Sequence, residues 1–161
     1  MHIVQGTPSE VDLPAINAVV EAAMMTWDLP ERVKRLALPS YRYSGADRRQ
    51  FGFALARDPV DDTIIGVAAW EPADRNDCPP GRTGMLLHGL YVDPRQTRRG
   101  LGRRLVQSAL AASTEQRLDG LLVKAQRDAR GFFERLGFQQ LEPVDGGRNY
   151  SLRYWYPCRA E

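Results

Sequence analysis

No long apolar run interrupts this chain of 161 residues, and its N-terminus lacks a basic-then-apolar leader. With neither a membrane span nor a secretory signal to read, a soluble, cytoplasmic protein without a membrane partner is the expectation. Cysteine is scarce, with only Cys78 and Cys158. A chain of this size buries a core without disulfides, so two free thiols are expected. Lysine is nearly absent: 20 of the 22 basic residues are arginine. The net charge is only +2, which argues against a nucleic-acid partner, since that class needs a broadly cationic surface. Internal repeats, low-complexity stretches and linkers are also missing, so residues 1–161 read as a single domain. What remains is ordinary for a globular protein: 43% hydrophobic and 26% charged residues.

The periodicities give a mixed α/β order. Residues 1–5 are β-prone. Helix-start chemistry at Thr7, Ser9, Glu10 and Asp12 precedes Ile16, Val19, Val20, Ala23 and Met24 at helical spacing, which predicts a helix over 12–25. A shorter helix is expected over 30–38, bounded by Pro30 and Pro39. Strands follow at Phe51–Leu55 and Thr63–Trp70, then a proline-rich loop from Glu71 to Gly84, then a strand over Leu86–Val92. After a glycine turn, Leu101, Leu105, Val106, Ala109 and Leu110 mark a helix. Gly120–Ala125 is strand-like, Ala129–Leu136 a short helix stopped by Gly137, and Phe138–Leu141 and Asn149–Tyr156 two closing strands about an Asp145-Gly146-Gly147 turn.

Between Leu90 and Leu105 the chain reads Leu-Tyr-Val-Asp-Pro-Arg-Gln-Thr-Arg-Arg-Gly-Leu-Gly-Arg-Arg-Leu. An apolar strand, a proline stop and a basic loop lead through Gly-x-Gly straight into an amphipathic helix. The first amides of a helix lack intrahelical acceptors, and the helix dipole favours negative charge there. Gly100 and Gly102 carry no Cβ, so a phosphate can approach the main chain. Arg95, Arg98, Arg99, Arg103 and Arg104 flank the turn with only Asp93 to offset them. A diphosphate-bearing ligand is the expected occupant.

This segment and Ala129-Arg130-Gly131-Phe132-Phe133-Glu134-Arg135-Leu136-Gly137-Phe138 together resemble the GNAT superfamily, the Gcn5-related N-acetyltransferases. Thr97 stands where that family's pattern has Gln or Arg, and Gln126 where it has Asn. The resemblance implies a single-domain α/β fold, a mixed and mostly antiparallel central sheet of about seven strands flanked by about four helices. It implies an N-acyltransferase with acetyl-CoA, or another acyl-CoA, as co-substrate, and no metal. Leu90, Tyr91 and Val92 would offer main-chain groups to the pantetheine arm. Arg98, Arg99, Gly100, Leu101, Gly102 and Arg103 would wrap the pyrophosphate, and Phe133 would lie against the pantetheine.

Acyl transfer to a protonated amine needs a proton acceptor. A regular strand sets His88, Leu90 and Val92 on one face. In the serotonin N-acetyltransferase branch of the resembled family a strand histidine at this offset takes the proton. His88 is therefore the candidate base, and Glu71 the second candidate. Many members use a tyrosine as acid where this chain has Phe133, so no acid is assigned there; Tyr150 or Tyr154 could substitute. Cys78, in a loop without a partnering histidine, is a poor acyl carrier. The resemblance implies that the acceptor enters between the first helices and the late strands, here Trp27–Arg49 (with Tyr41 and Tyr43), the Glu71–Gly84 loop and the Asp145–Arg148 turn. Its class would be a small-molecule amine, a peptide N-terminus or a lysine, and a homodimer is compatible with the pattern. The alternative is a non-catalytic acyl-CoA-binding regulatory or interaction module.

Overall fold

A computed structural model describes residues 2–96, 99–143 and 152–158. Among these, seven strands form one sheet: β1 (His2–Gln5), β2 (Gly52–Arg57), β3 (Ile64–Pro72), β4 (Gly84–Val92), β5 (Gly120–Ala125), β6 (Gln139–Gln140) and β7 (Leu152–Pro157). Their order is β1-β2-β3-β4-β5-β7-β6. Five helices accompany them: α1 (Leu13–Met24), α2 (Glu31–Tyr41), α3 (Gly45–Gln50), α4 (Leu101–Glu115) and α5 (Arg130–Arg135). By packing, the chain divides into two compact units, Met1–Ala69 with Gly89–Ser108 and Trp70–His88 with Ala109–Glu161. No helix among the described residues is long and apolar enough to cross a membrane.

In the first unit, β1 and β2 pair antiparallel from His2↔Arg57 to Gln5↔Ala54. The face of α1 carrying Ile16, Val19, Val20, Ala23 and Met24 is buried with Phe53, Leu55, Val67 and Tyr91, as its helical spacing predicts. Each such side chain contributes about 1.5–3 kcal/mol on leaving water. The chain enters α1 through a short 3₁₀ turn, where the Asp12 carboxylate accepts from Ser9 N at 3.3 Å and Ser9 Oγ at 3.0 Å. Pro14 sits in the first turn, where no donor is missed. At the other end the buried Lys34 donates from Nζ to the Met25 carbonyl at 2.7 Å, placing a cation at a helix C-terminus.

The helices after α1 depart from expectation. Pro39 does not end α2, which continues to Tyr41. Proline removes one donor near the helix end, while burial of Leu38 and the edge-on stacking of Tyr41 on Trp27 (5.4 Å, 83°) favour the extra turn. The unanticipated α3 raises the helix number from about four to five. Its sequence lacks apolar periodicity, and its start is set by polar capping instead: Ser44 Oγ accepts from Asp47 N, and the Asp47 carboxylate accepts from Ser44 N.

In the second unit, β4 and β5 run parallel from Gly84↔Gly120 to Leu87↔Val123. β5 pairs antiparallel with β7, and β7 with β6. Glycine is required at both ends of the first register pair. A Cβ on Gly120 would lie 2.3 Å from the Trp155 ring, and one on Gly84 2.7 Å from it. α5 buries Phe133 between Phe132 (5.0 Å) and Phe138 (5.3 Å), and Gly137 stops it at φ +96°. β6 is shorter than the predicted 138–141. The predicted Asp145-Gly146-Gly147 turn and the start of the last predicted strand lie outside the described residues.

Candidate functional site

The segment from Gly89 to Ser108 builds the expected turn within the first unit. Tyr91 points its ring inward and is 4% exposed, edge-on to Tyr43 at 6.5 Å. Burial pushes its phenol far up, with a smaller contribution from Tyr41 and partial relief from a hydrogen bond with Tyr43. Tyr43 is held in turn by Asn17, whose Oδ1 accepts from Tyr43 N at 2.8 Å and whose Nδ2 donates to Tyr43 O at 2.9 Å. The Tyr43 hydroxyl lies so close to Gly89 that a Cβ there would come within 2.3 Å of it. Tyr43, expected on an acceptor wall, is thus a core residue that fixes the strand from behind.

At the end of β4 the chain folds back through Asp93. Its N–H donates to the Ile65 carbonyl at 2.9 Å, and its own carbonyl accepts from Gln96 N at 2.8 Å. The buried carboxylate accepts from Arg95 N at 2.9 Å, Nε at 3.2 Å and Nη2 at 2.8 Å. The Arg95 hydrogen bonds hold the Asp93 carboxyl below its usual range against the opposing effect of burial, and the same bonds raise Arg95. This pairing corrects the count of free cations around the turn. Arg95 is committed to Asp93, a fork of donors on one carboxylate. Among the described arginines, Arg99, Arg103 and Arg104 stand exposed; Arg98 lies outside the described residues.

Gly100 has φ +73°, a left-handed conformation that costs an L-residue about 1–2 kcal/mol, and open space surrounds its Cα. Leu101 then plugs the core at 2% exposure, and Arg104 N closes the first helical rung on the Gly100 carbonyl at 3.1 Å. The amides of Leu101, Gly102 and Arg103 precede that rung, in the positions that serve anions at helix N-termini. Leu105 is fully buried and packs against β3 where Gly66 has no side chain; a Cβ on Gly66 would sit 2.9 Å from Leu105 Cδ1. Gly66 and Gly89 are supporting residues that the sequence reading passed over, and Asp93, read there only as an offsetting charge, is a structural brace. An Asp-Pro pair leaving a strand was the available signal for the last.

Along β4 the buried positions are Gly84, Met85, Leu87, Gly89 and Tyr91, while Leu86, Leu90 and Val92 are half-buried and His88 exposed. The predicted alternation of His88, Leu90 and Val92 on the more open face therefore holds. His88 and the half-buried Glu71 belong to the second unit, on β4 and β3, which are neighbours in the sheet. Phe133 is 4% exposed within its aromatic stack. The Tyr154 hydroxyl donates to Glu134 Oε1 at 3.1 Å, and Arg130 Nε donates to the same oxygen at 3.2 Å. Burial, followed by the Glu134 carboxylate, raises the Tyr154 phenol. Tyr150 lies outside the described residues. No cluster of three or more His, Cys, Asp or Glu side chains that could hold a metal occurs among the described residues.

Comparison with known proteins agrees with this arrangement. The family model described as Acetyltransferase (GNAT) family matches residues 17–138. No curated protein matches the chain by sequence. Among solved structures, PaiA N-acetyltransferase from Thermoplasma acidophilum in complex with coenzyme A superposes with a TM-score of 0.75 at 16% identity, over 98% of this chain and 99% of that one. A GNAT family acetyltransferase from Brucella melitensis in complex with acetyl-CoA gives 0.62 at 19% identity, covering 94% and 86%. N-acetylglutamate synthase from Neisseria gonorrhoeae, complexed with coenzyme A and N-acetyl-glutamate, gives 0.69 at 14% identity over 99% of this chain and 36% of that one. At these identities the likeness is one of fold.

Proposed function

The chain belongs to the GNAT family of acetyltransferases, and from that premise we propose that it moves acetyl from acetyl-CoA to a primary amine by direct attack in a ternary complex. The observation that carries the reading is the turn from Asp93 to Arg104. Asp93 braces its start, Gly100 is left-handed, Leu101 is anchored in the core, and Arg99 and Arg103 are exposed beside the first amides of α4. A pyrophosphate there gains helix-end amides and charge-assisted arginine bonds, each amide contact contributing about 0.3–1 kcal/mol. Arg98 would join them. The main-chain groups of Leu90, Tyr91 and Val92 would take the pantetheine as an added strand; the parallel register of β4 with β5 ends earlier, at Leu87↔Val123.

In the proposed reaction the imidazole of His88 takes a proton from the acceptor ammonium, with Glu71 as the second candidate base. Removing that proton unaided at neutral pH costs about 4–5 kcal/mol, so a positioned acceptor matters. The freed nitrogen lone pair attacks the thioester carbonyl carbon. The tetrahedral intermediate collapses by breaking the C–S bond; its nitrogen gives up the second proton to water, and coenzyme A leaves as a thiolate, a fair leaving group with a thiol pKa of about 8.5. Tyr154 is a poor source of a proton for that sulfur, because its hydroxyl already serves Glu134. The acceptor would be a small-molecule amine, a peptide N-terminus or a lysine, received in part by the Glu71–Gly84 loop.

One observation favours a second reading. Phe133 replaces the tyrosine of the family motif, and a chain that binds acyl-CoA without turning it over would need no acid. Two measurements separate the readings: calorimetric titration with acetyl-CoA, and thiol detection of coenzyme A release against a panel of amines. Binding with amine-dependent release is the expected result. Binding without release from any amine leaves the module, and absence of binding removes both.

A further inference from the structure

We propose that Arg153 is a positioning residue for the acceptor, holding the proposed acceptor loop in place from inside the second unit. Arg153 lies on β7 and is 6% exposed. Its Nη1 donates to the carbonyl of Asp77, within the Glu71–Gly84 loop, and its Nη2 to the carbonyl of Glu142, at the exit of β6. One guanidinium therefore ties two loops that are distant in sequence, and it does so through main-chain oxygens, which fixes backbone position whatever the side chains do. The strand register sets Arg153 opposite Lys124, two cations side by side. Asp77 offsets both: its carboxylate pairs with Lys124 Nζ at 3.0 Å while its carbonyl accepts from Arg153. The turn that presents Asp77 is itself capped, since Asp74 Oδ1 accepts from Asn76 N at 2.9 Å.

Burying a guanidinium carries a desolvation cost that packing alone does not require, since a well-packed apolar side chain of similar volume usually serves stability as well or better. The arginine fork does what an apolar residue would not: it holds two carbonyls at a fixed separation. That restraint falls on the loop assigned to the acceptor under the acyl-transfer reading, on which this inference rests. Neither Asp77 nor Glu142 is among the residues assigned to acetyl-CoA. Arg153 should thus govern the acceptor and leave the donor alone.

The test uses the full chain carrying Arg153→Lys, which keeps the charge but loses the fork, and Arg153→Gln, which keeps one donor group. Three quantities are read: the acceptor KM with kcat, the acetyl-CoA Kd, and amide hydrogen exchange of the segments 73–83 and 141–143. The expected result is an acceptor KM raised about tenfold or more with an unchanged acetyl-CoA Kd, and faster exchange in both segments; misplacement of about an ångström is enough for such an effect. An unchanged acceptor KM in a variant whose loops exchange faster overturns the positioning role. Loss of acetyl-CoA affinity in step with acceptor affinity in both variants also overturns it, by showing a purely structural part. If the unmodified protein binds acetyl-CoA but acetylates no amine, the acyl-transfer reading fails first and this role falls with it, which faster loop exchange alone would not rescue.

Discussion

The phosphate turn and the acceptor-side loop are built by opposite means. In the turn, Asp93 and the Arg95 that braces it are two residues apart in sequence. In the loop, Asp77 is held by an arginine 76 residues away, and Glu142 by the same arginine 11 residues away. A site made from main-chain amides, a glycine and a neighbouring acid needs only a short stretch of chain. A wall for a variable acceptor is assembled from separate loops, and its geometry depends on whatever reaches across to them. Under the proposed function, the co-substrate would be recognised by local structure and the acceptor by tertiary structure.

The sharpest way to break this comparison is Gly102→Glu. Gly102 lies in the first turn of α4, and glycine in a helix is worth roughly 1 kcal/mol less than a better helix former. A carboxylate near a helix N-terminus is also favourable by about 0.3–1 kcal/mol. The variant should melt no lower than the parent, yet bind acetyl-CoA at least about a hundredfold more weakly, because its carboxylate competes with phosphate for the same amides. Retained affinity in calorimetry would move the pyrophosphate elsewhere. Next in size is His88→Gln, which should lower the rate about a hundredfold, within the usual range for losing a general base, with the acetyl-CoA Kd unchanged. Undiminished turnover would transfer the base role to Glu71 or to water.

Asp93→Asn should have a smaller effect and carries a pH signature. The Asp93 carboxyl titrates below its usual range in the folded protein, chiefly through its hydrogen bonds from Arg95. Its contribution is then present above the unfolded value of about 3.9 and is lost as pH falls through the lower folded value. The Arg95 side chain is 86% exposed, so solvent screening keeps the contribution modest. Thermal melts of parent and variant should differ at neutral pH and converge as acidification carries the Asp93 carboxyl through its lowered folded value. A constant gap across that range would assign the brace to shape and not to charge.

Legibility in the sequence followed the same division. The edges of α1 and β5, the end of β4 and the existence of the Gly100 turn could be read because each is specified by residues within a few positions: an apolar period, a proline, a positive-φ glycine. Tyr43 was assigned to a surface because nothing adjacent reveals that Asn17, in another helix, draws its backbone inward. α3 escaped because polar capping, and no apolar stripe, makes it. Pro39 misled because the burial of Leu38 and the Trp27–Tyr41 contact are tertiary. Arg153 sat in Leu-Arg-Tyr-Trp-Tyr as a lone charge in an apolar strand. That is a visible oddity, but its two carbonyl partners are not inferable from the strand itself.

The smallest expected effect sharpens the acceptor side. Cys78 follows Asp77 in the clamped loop and is 5% exposed, while Cys158 is half-buried. Burial first, and then the Asp77 and Asp74 carboxylates, push the Cys78 thiol up, so less of it is thiolate at neutral pH. Its sulfur lies 3.0 Å from where a Cβ on Gly84 would be, tucked against β4 beside Trp155. Alkylation by iodoacetamide should therefore modify Cys158 first and Cys78 at least about tenfold more slowly, since only the exposed thiolate reacts. Peptide mapping over a time course distinguishes the two. Equal rates would mean that the loop opens as readily as a free surface segment, and a loop that opens so easily would not be held in register by the two carbonyl contacts of Arg153.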